Sequence, residues 1–313
     1  MIEVHRDLQH LPAFKNAVIT IGTFDGVHLG HQQIVKLLKE EAVAIGGETV
    51  IITFYPHPRK IVSYGRSEVK IINTLDEKIE LLDKKGIKHL AVVPFDDGFA
   101  SQTAQEYIEN FLVKKFSPHT IIIGYDHKFG KNRSGDYHLL ESMGEKFNYQ
   151  VKEIPEHVLN DITISSTKIR EAMLSNDINT ANAFLGYTYF FGGKVVEGNK
   201  LGRTIGYPTA NVVIEDEEKL VPGNGVYAVT VTIGQKEPVL KGMMNIGMRP
   251  TVNGTKRTIE VNIFDFNEDI YGIKICVYIH AYLRGEVKFD GLDQLKEQLA
   301  KDKVNTQLLL QDI

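Results

Sequence analysis

Residues 22–34 read GTFDGVHLGHQQI and follow a short apolar run, AVITI, at residues 17–21. Beyond them Ile34, Leu37, Leu38, Ala42 and Ile45 recur with the period of an amphipathic helix. Strand, glycine-bearing turn and helix form the layout in which backbone N–H groups at a helix N-terminus receive an anion. His28 and His31 stand on that turn, three residues apart. Spacing alone leaves three readings: capping or surface histidines, two ligands of a metal site, or donors to a phosphate group. The metal reading is the weakest, because no nearby run of Cys or His supplies the remaining ligands.

Outward from this turn, strand-like and helix-like segments alternate. ETVIITF (48–54), HLAVVPF (89–95), HTIIIGYD (119–126) and YQVKEIP (149–155) are short and apolar. Between them lie the helical LDEKIELLDKKGI (75–87), AQEYIENFLVKKF (104–116) and DYHLLESMGEKF (136–147). Such alternation predicts a parallel sheet with helices on both faces, binding its ligands beyond the carboxyl ends of the strands. From about residue 187 the rhythm changes. YFFGGKVVEG, TANVVI, GVYAVTVTIG, EPVLKGMMNIG, RTIEVNIFDF and GIKICVYIHAYLR are β-branched and separated by Gly, Pro or Asn. Six strands in succession predict a mainly antiparallel barrel, closed by a helical LDQLKEQLAKDKVNTQLLLQ. SSTKIREAMLSN and INTANAFLG are expected to form helices joining the halves. The expected domains are therefore residues 1–185, a Rossmann-like α/β unit, and residues 186–313, the barrel with its C-terminal helix.

Composition narrows the function classes. The chain has 313 residues, 42% hydrophobic and 24% charged, as a soluble globular protein does. No apolar run approaches the ~18 residues of a membrane span, and the N-terminus lacks a signal-peptide core. Net charge is −4, and neither half carries the basic excess of a nucleic-acid binder. With Cys276 the single cysteine, no disulfide can form within the chain, which fits a cytoplasmic location.

GTFDGVHLGH resembles the H-x-G-H signature of nucleotidyltransferases, and FDGVH resembles the prokaryotic bifunctional riboflavin kinase/FAD synthetase family in particular. The resemblance runs on through TFYPHPRKI (53–61), IIIGYDHKFGKNRSGD (121–136), ISSTKIREAM (164–173), GRTIGYPTAN (202–211), GVYAV (225–229), IEVNIFDFNEDIYG (259–272) and LRGEVKF (283–289). It implies two reactions: phosphorylation of riboflavin to FMN by the C-terminal half, and transfer of AMP from ATP to FMN by the N-terminal half, giving FAD. The implied partners are thus riboflavin, FMN, FAD and ATP with Mg2+, and neither nucleic acid nor membrane; self-association stays open.

The resemblance also implies roles. His28 and His31 would stabilise charge on the ATP phosphates, joined by Ser165, Ser166, Thr167 and Arg170 at a helix start. Gly22, Thr23 and Phe24 would border the nucleotide, and Phe54, Pro56 and Pro58 would form an apolar shelf for the flavin. Asp126 departs from the Asn expected in its loop; a carboxylate there repels phosphate unless it ligates magnesium or a ribose hydroxyl. In the other half Gly202, Arg203 and Thr204 would arch over ATP, and Thr209 and Asn211 would hold Mg2+ through hard oxygen donors. Read alone, PTAN is a turn entering a strand, and GNKLGRT lacks the lysine and spacing of a P-loop. Glu260 would be the general base for the ribityl hydroxyl. Strand alternation sets Glu260, Asn262 and Phe264 on one face and Ile259, Val261 and Ile263 on the other. Arg284 and Glu286 would border the flavin, and Asn262 stands where the family often carries His. A chain that had lost kinase activity, or a flavin-binding regulator, would be expected to lack Glu260, Thr209 or the histidines, and all are present.

Overall fold

The computed structural model describes residues 1–62, 69–154, 164–198, 201–234, 236–251 and 254–313. The chain divides into two compact units, Met1–Ser166 and Thr167–Ile313.

The first unit is built on a parallel sheet of six strands: β1 (Glu3–His5), β2 (Val18–Ile21), β3 (Thr49–Tyr55), β4 (His89–Pro94), β5 (Thr120–Gly124) and β6 (Gln150–Ile154). Their spatial order is β1-β4-β3-β2-β5-β6. β2 to β5 are almost wholly buried, which is why they read as continuous apolar runs rather than alternating ones. Ile19, Ile21, Val50, Ile52, Val93, Ile121 and Ile123 share one core with Ile108, Phe111 and Leu112. The last three come from the expected helix over 104–116, whose middle, Tyr107–Val113, is wound as a π-helix. The chain builds outward from β2 to β3 and β4, then returns to place β5 on the other side of β2. That reversal opens a crevice at the carboxyl ends of β2 and β5, where open parallel sheets bind ligands. The GTFDGVHLGH turn leaves the carboxyl end of β2. One strand was not anticipated: β1 pairs with β4 at the sheet edge. Of the final expected strand, Pro155 lies outside the described residues.

All six expected strands of the second half form, as β7 (Phe190–Val196), β8 (Ala210–Val213), β9 (Gly225–Ile233), β10 (Lys236–Thr251), β11 (Gly254–Ile263) and β12 (Lys274–Arg284). They close into an antiparallel barrel in the order β10-β11-β8-β7-β12-β9. Tyr189, Phe191, Tyr227, Val231, Val261 and Val277 are buried in this unit. The helix Leu292–Leu309 follows.

The helices Ser166–Leu174 and Ile178–Leu185 form where expected, and from Thr167 on they group with the barrel. Asn182 donates to the Ile279 carbonyl at 2.9 Å and accepts from the Tyr189 N–H at 2.8 Å. Tyr227 donates its hydroxyl to Asn176 Oδ1 at 2.8 Å. Met173, Ile178, Ala181 and Leu185 are buried. Each apolar side chain buried in this way contributes about 1.5–3 kcal/mol if large, and each hydrogen bond about 1 kcal/mol. A barrel fragment starting near residue 167 is therefore expected to unfold at distinctly higher urea than one starting at 186. Equal midpoints would show that the helices do not brace the barrel.

Candidate functional site

Two clusters of polar residues stand out, one in each unit. In the first, the backbone of the turn after β2 is forced through left-handed conformations at Phe24 (φ 48°), Gly26 (φ 90°) and Val27 (φ 37°). Such strain persists only where surrounding structure fixes it, and the fixing groups are present. The buried Lys78 ammonium donates to the Thr23 carbonyl at 2.7 Å and to Thr53 Oγ1 at 3.3 Å. Thr53 also donates to the Thr23 carbonyl, at 3.1 Å. The buried Asp25 carboxylate accepts from the N–H groups of Ile72 and Asn73 at 2.9 and 3.3 Å. Ser166 Oγ donates to the Asp25 carbonyl at 2.9 Å.

His28 is the N-cap of the helix Leu29–Ile45, and its Nδ1 accepts from the His31 N–H at 3.4 Å. A ring that accepts at Nδ1 has Nε2 left as its donor. Capping and anion binding are thus compatible uses of one ring. The His28 and His31 rings stack at 3.7 Å, with Phe24 4.9 Å from His31. A Cβ on Gly30 would lie 3.2 Å from the His28 ring, so the glycine between the histidines makes room for the imidazole. Among the described residues, His31 Nδ1 is buried without a hydrogen-bond partner. Burial, with the adjoining His28 and Lys78, holds the His31 imidazole well below its usual range, so it is neutral at neutral pH.

The remaining expected residues of this unit are placed as follows. Phe24 is buried, and its ring covers Gly22. Phe54 packs edge-on to Phe95 at 5.4 Å; Pro56 follows a cis bond, and Pro58 opens a short helix. Ser165 is exposed, while Thr167 and Arg170 lie in the helix Ser166–Leu174. Asp126 is exposed in the loop after β5, beside the half-buried His127, which burial pulls down to about 4. Lys78, Thr53 and Asp25 were not anticipated. The legible sign was Lys78 itself, which shares the buried face of the helix Leu75–Lys84 with Leu81 and Leu82. Burial pulls its ammonium down to about 8, against the opposing pull of Asp25.

In the barrel unit, a cavity of about 310 Å³ is lined by Gly202, Thr209, Asn245, Glu260, Asn262, Arg284 and Glu286, with Ile205, Tyr207, Met243 and Phe289 among its apolar walls. It gathers five expected residues: Gly202, Thr209, Glu260, Arg284 and Glu286. A second cavity of about 300 Å³ is lined by Arg203, Thr209, Val261, Ile263 and the 266–271 segment. β11 is the wall between them: Glu260 and Asn262 face one cavity, Val261 and Ile263 the other. Thr209 borders both. Asn211 pairs in register with Glu260 across β8 and β11, and a Cβ on Gly198 would overlap its amide. Thr204 ends the short helix Leu201–Thr204. Asn262 donates to the Pro208 carbonyl at 2.7 Å, which fixes the turn carrying Thr209. The hydroxyl of Thr209 and the amide oxygen of Asn211 are hard oxygen donors, and they fit a magnesium-like cation that keeps most of its ligands as water and phosphate.

Arg284 has a further task. Its guanidinium forks onto Asp302 of the C-terminal helix, with Nε donating at 3.0 and 3.1 Å and Nη2 at 2.7 Å. Asp302 is 1% exposed and also accepts from Gln298 at 2.8 Å. The pair fastens the helix Leu292–Leu309 to the barrel. Removing one member of such a pair leaves a charge unsatisfied, at about 3–5 kcal/mol. Asp302→Ala is expected to lower the urea midpoint of this unit accordingly; an unchanged midpoint would mean the pair is solvated rather than structural.

Family models described as FAD synthetase and riboflavin kinase match residues 11–168 and 185–310. The chain is 38% identical over 288 residues to the bifunctional riboflavin kinase/FMN adenylyltransferase of Haemophilus influenzae, covering 92% of each chain. It is 36% identical over 290 residues to the protein of that name from Escherichia coli K12, covering 93% of this chain and 91% of the other. A crystal structure described as a macrolide-efflux protein from Streptococcus pneumoniae superposes with a TM-score of 0.85 at 32% identity, covering 98% of both chains. Among the described residues no helix here is long and apolar enough to cross a membrane. With both halves matched in order and relatives aligned over nearly their whole length, the chain belongs to the bifunctional riboflavin kinase/FMN adenylyltransferase family.

Proposed function

We propose that the chain makes FAD from riboflavin in two steps, each in its own half: residues 186–313 phosphorylate riboflavin to FMN, and residues 1–185 transfer AMP from ATP to FMN. The observation that carries this reading is the pair of polar clusters, one at the strand-order reversal of the sheet and one in the barrel.

In the first step a ribityl hydroxyl attacks the γ-phosphorus of ATP, its proton passes to a Glu260 carboxylate oxygen, and ADP leaves. Thr209 borders both barrel cavities, which supports a pose with nucleotide on the Arg203 side and flavin on the Glu260 side, the two meeting beside Thr209. Thr209 and Asn211 would hold Mg2+, which supplies charge neutralisation on the phosphates. Met243, Tyr207 and Phe289 keep water from the flavin. Arg284 and Glu286 border it, Arg284 already held by Asp302.

In the second step an FMN phosphate oxygen attacks the α-phosphorus and pyrophosphate leaves. The nucleophile is already anionic, so no general base is needed, and charge stabilisation carries the catalysis. His28 donates from Nε2, and neutral His31 offers a second imidazole contact at the helix N-terminus. Ser165, Ser166, Thr167 and Arg170 would supply further donors to the phosphates; Gly22, Thr23 and Phe24 shape the turn; Phe54, Pro56 and Pro58 would give the flavin an apolar surface. Asp126 is exposed enough to reach a ribose hydroxyl or a hydrated metal. The test is chromatography of products from riboflavin and magnesium-ATP. FMN followed by FAD supports the reading; FMN alone, or no turnover, overturns it for the corresponding half.

A further inference from the structure

A separate cluster lies at the amino end of the parallel sheet, away from the H-x-G-H turn at its carboxyl end. Glu3 of β1 is in register with His89 of β4, and His5 lies two residues along β1 on the same face. His5 Nε2 and His89 Nδ1 are 3.1 Å apart, and a Glu3 carboxylate oxygen is 3.6 Å from that same His89 nitrogen. The three donor atoms lie within 4.8 Å of one another. Around a tetrahedral zinc-class ion with metal–nitrogen bonds of about 2.0–2.1 Å, neighbouring donors sit about 3.3–3.4 Å apart, between the two distances observed.

The outer contacts agree. His89 is 3% exposed, and its other nitrogen, Nε2, is buried without a hydrogen bond among the described residues. A Glu48 carboxylate oxygen lies 3.5 Å from it. Glu48 is itself held by Lys88 and by the Lys15 N–H at 2.9 Å, which keep its carboxyl below the usual range. Glu48 thus stands, at ion-pair distance, on the side from which a carboxylate orients a metal-bound imidazole. Phe14 packs edge-on to both rings, at 5.6 and 5.0 Å, an apolar wall on one side of the cluster. A hydrogen bond between the two histidines accounts for one contact, but not for two carboxylates converging on one buried ring.

We propose that Glu3, His5 and His89 form a three-ligand site for a divalent zinc-class metal ion, with water in the fourth position, and that the ion staples the three-residue edge strand β1 to β4. The test uses the full chain, stripped with chelator and titrated with zinc chloride in competition with a chromophoric chelator, without nucleotide. One zinc equivalent with at least micromolar affinity is expected, together with a raised melting temperature. Cobalt(II) in its place should give the intense visible absorption of a tetrahedral site. Loss of an orienting partner alone costs ~10–100-fold in metal affinity, so His5→Gln and Glu3→Gln should each weaken binding at least that much while FMN and FAD formation continue. Both sit at more accessible positions than His89, so neither threatens the fold. No zinc uptake by the unsubstituted chain, or uptake by both variants as tight as that of the unsubstituted chain, would overturn the proposal; in the latter case other imidazoles hold the ion.

Discussion

Glu260→Gln is expected to cut riboflavin phosphorylation by about 100- to 10,000-fold, the range for removal of a general base. Glutamine keeps the size of the side chain and still hydrogen-bonds the ribityl hydroxyl, but it cannot accept the proton at neutral pH. Riboflavin binding should therefore change little, and the loss should fall on kcat rather than KM. The surroundings favour this outcome over an inert strand glutamate. Glu260 faces a cavity of about 310 Å³ with Thr209, Arg284 and Glu286, and pairs in register with Asn211 and Asn245. FAD formation from supplied FMN should persist in the same preparation. Normal phosphorylation by Glu260→Gln would remove the base from this position whatever the family.

His28→Ala should suppress FAD formation from FMN by ~100-fold or more, the cost of losing one preorganised donor to a developing oxyanion. Capping, one of the readings that spacing left open, adds a complication. His28 caps its helix, so alanine also forfeits about 0.5–2 kcal/mol of cap stability. His28→Asn separates the two effects, because asparagine is a good cap but lacks the imidazole Nε2–H. If His28 is only a cap, the asparagine variant will be active; if it grips phosphate, both variants will be inactive while both stay folded. His31→Ala should behave likewise, and riboflavin phosphorylation should survive in all three.

Much of the architecture was legible because burial on both faces writes itself as apolar runs. AVITI, ETVIITF and HTIIIGYD announce buried parallel strands, and the β-branched segments after residue 187 announce the barrel. β1 was illegible: three residues, Glu3–His5, carry no period, and the strand exists because β4 offers a free edge. The π-wound turn at Tyr107–Val113 was hidden for a similar reason, since the apolar spacing around it still reads as an α-helix. At the sites, strand alternation correctly separated Glu260 and Asn262 from Val261 and Ile263, now seen as opposite faces of one wall. Arg284 was read as bordering the flavin, and it lines the same cavity as Glu260. Its partner Asp302 lies eighteen residues further on, in a helix whose pattern gives no sign of a buried carboxylate. Lys78 shows the converse: a lysine on an apolar helix face was readable, and its meaning came only with the Thr23 carbonyl it holds.

Two independent sites in one chain are tested most directly by complementation between variants. Given riboflavin and magnesium-ATP, His28→Ala should stop at FMN, and Glu260→Gln should leave riboflavin unconverted. Mixed, they should make FAD, because FMN released by the first is substrate for the intact adenylyl-transfer site of the second. Each variant's remaining activity, measured separately, provides the control. A mixture yielding FAD is the predicted result; a mixture that makes none, although each variant retains its own half-reaction, or a single substitution that abolishes both reactions in a folded chain, would contradict it.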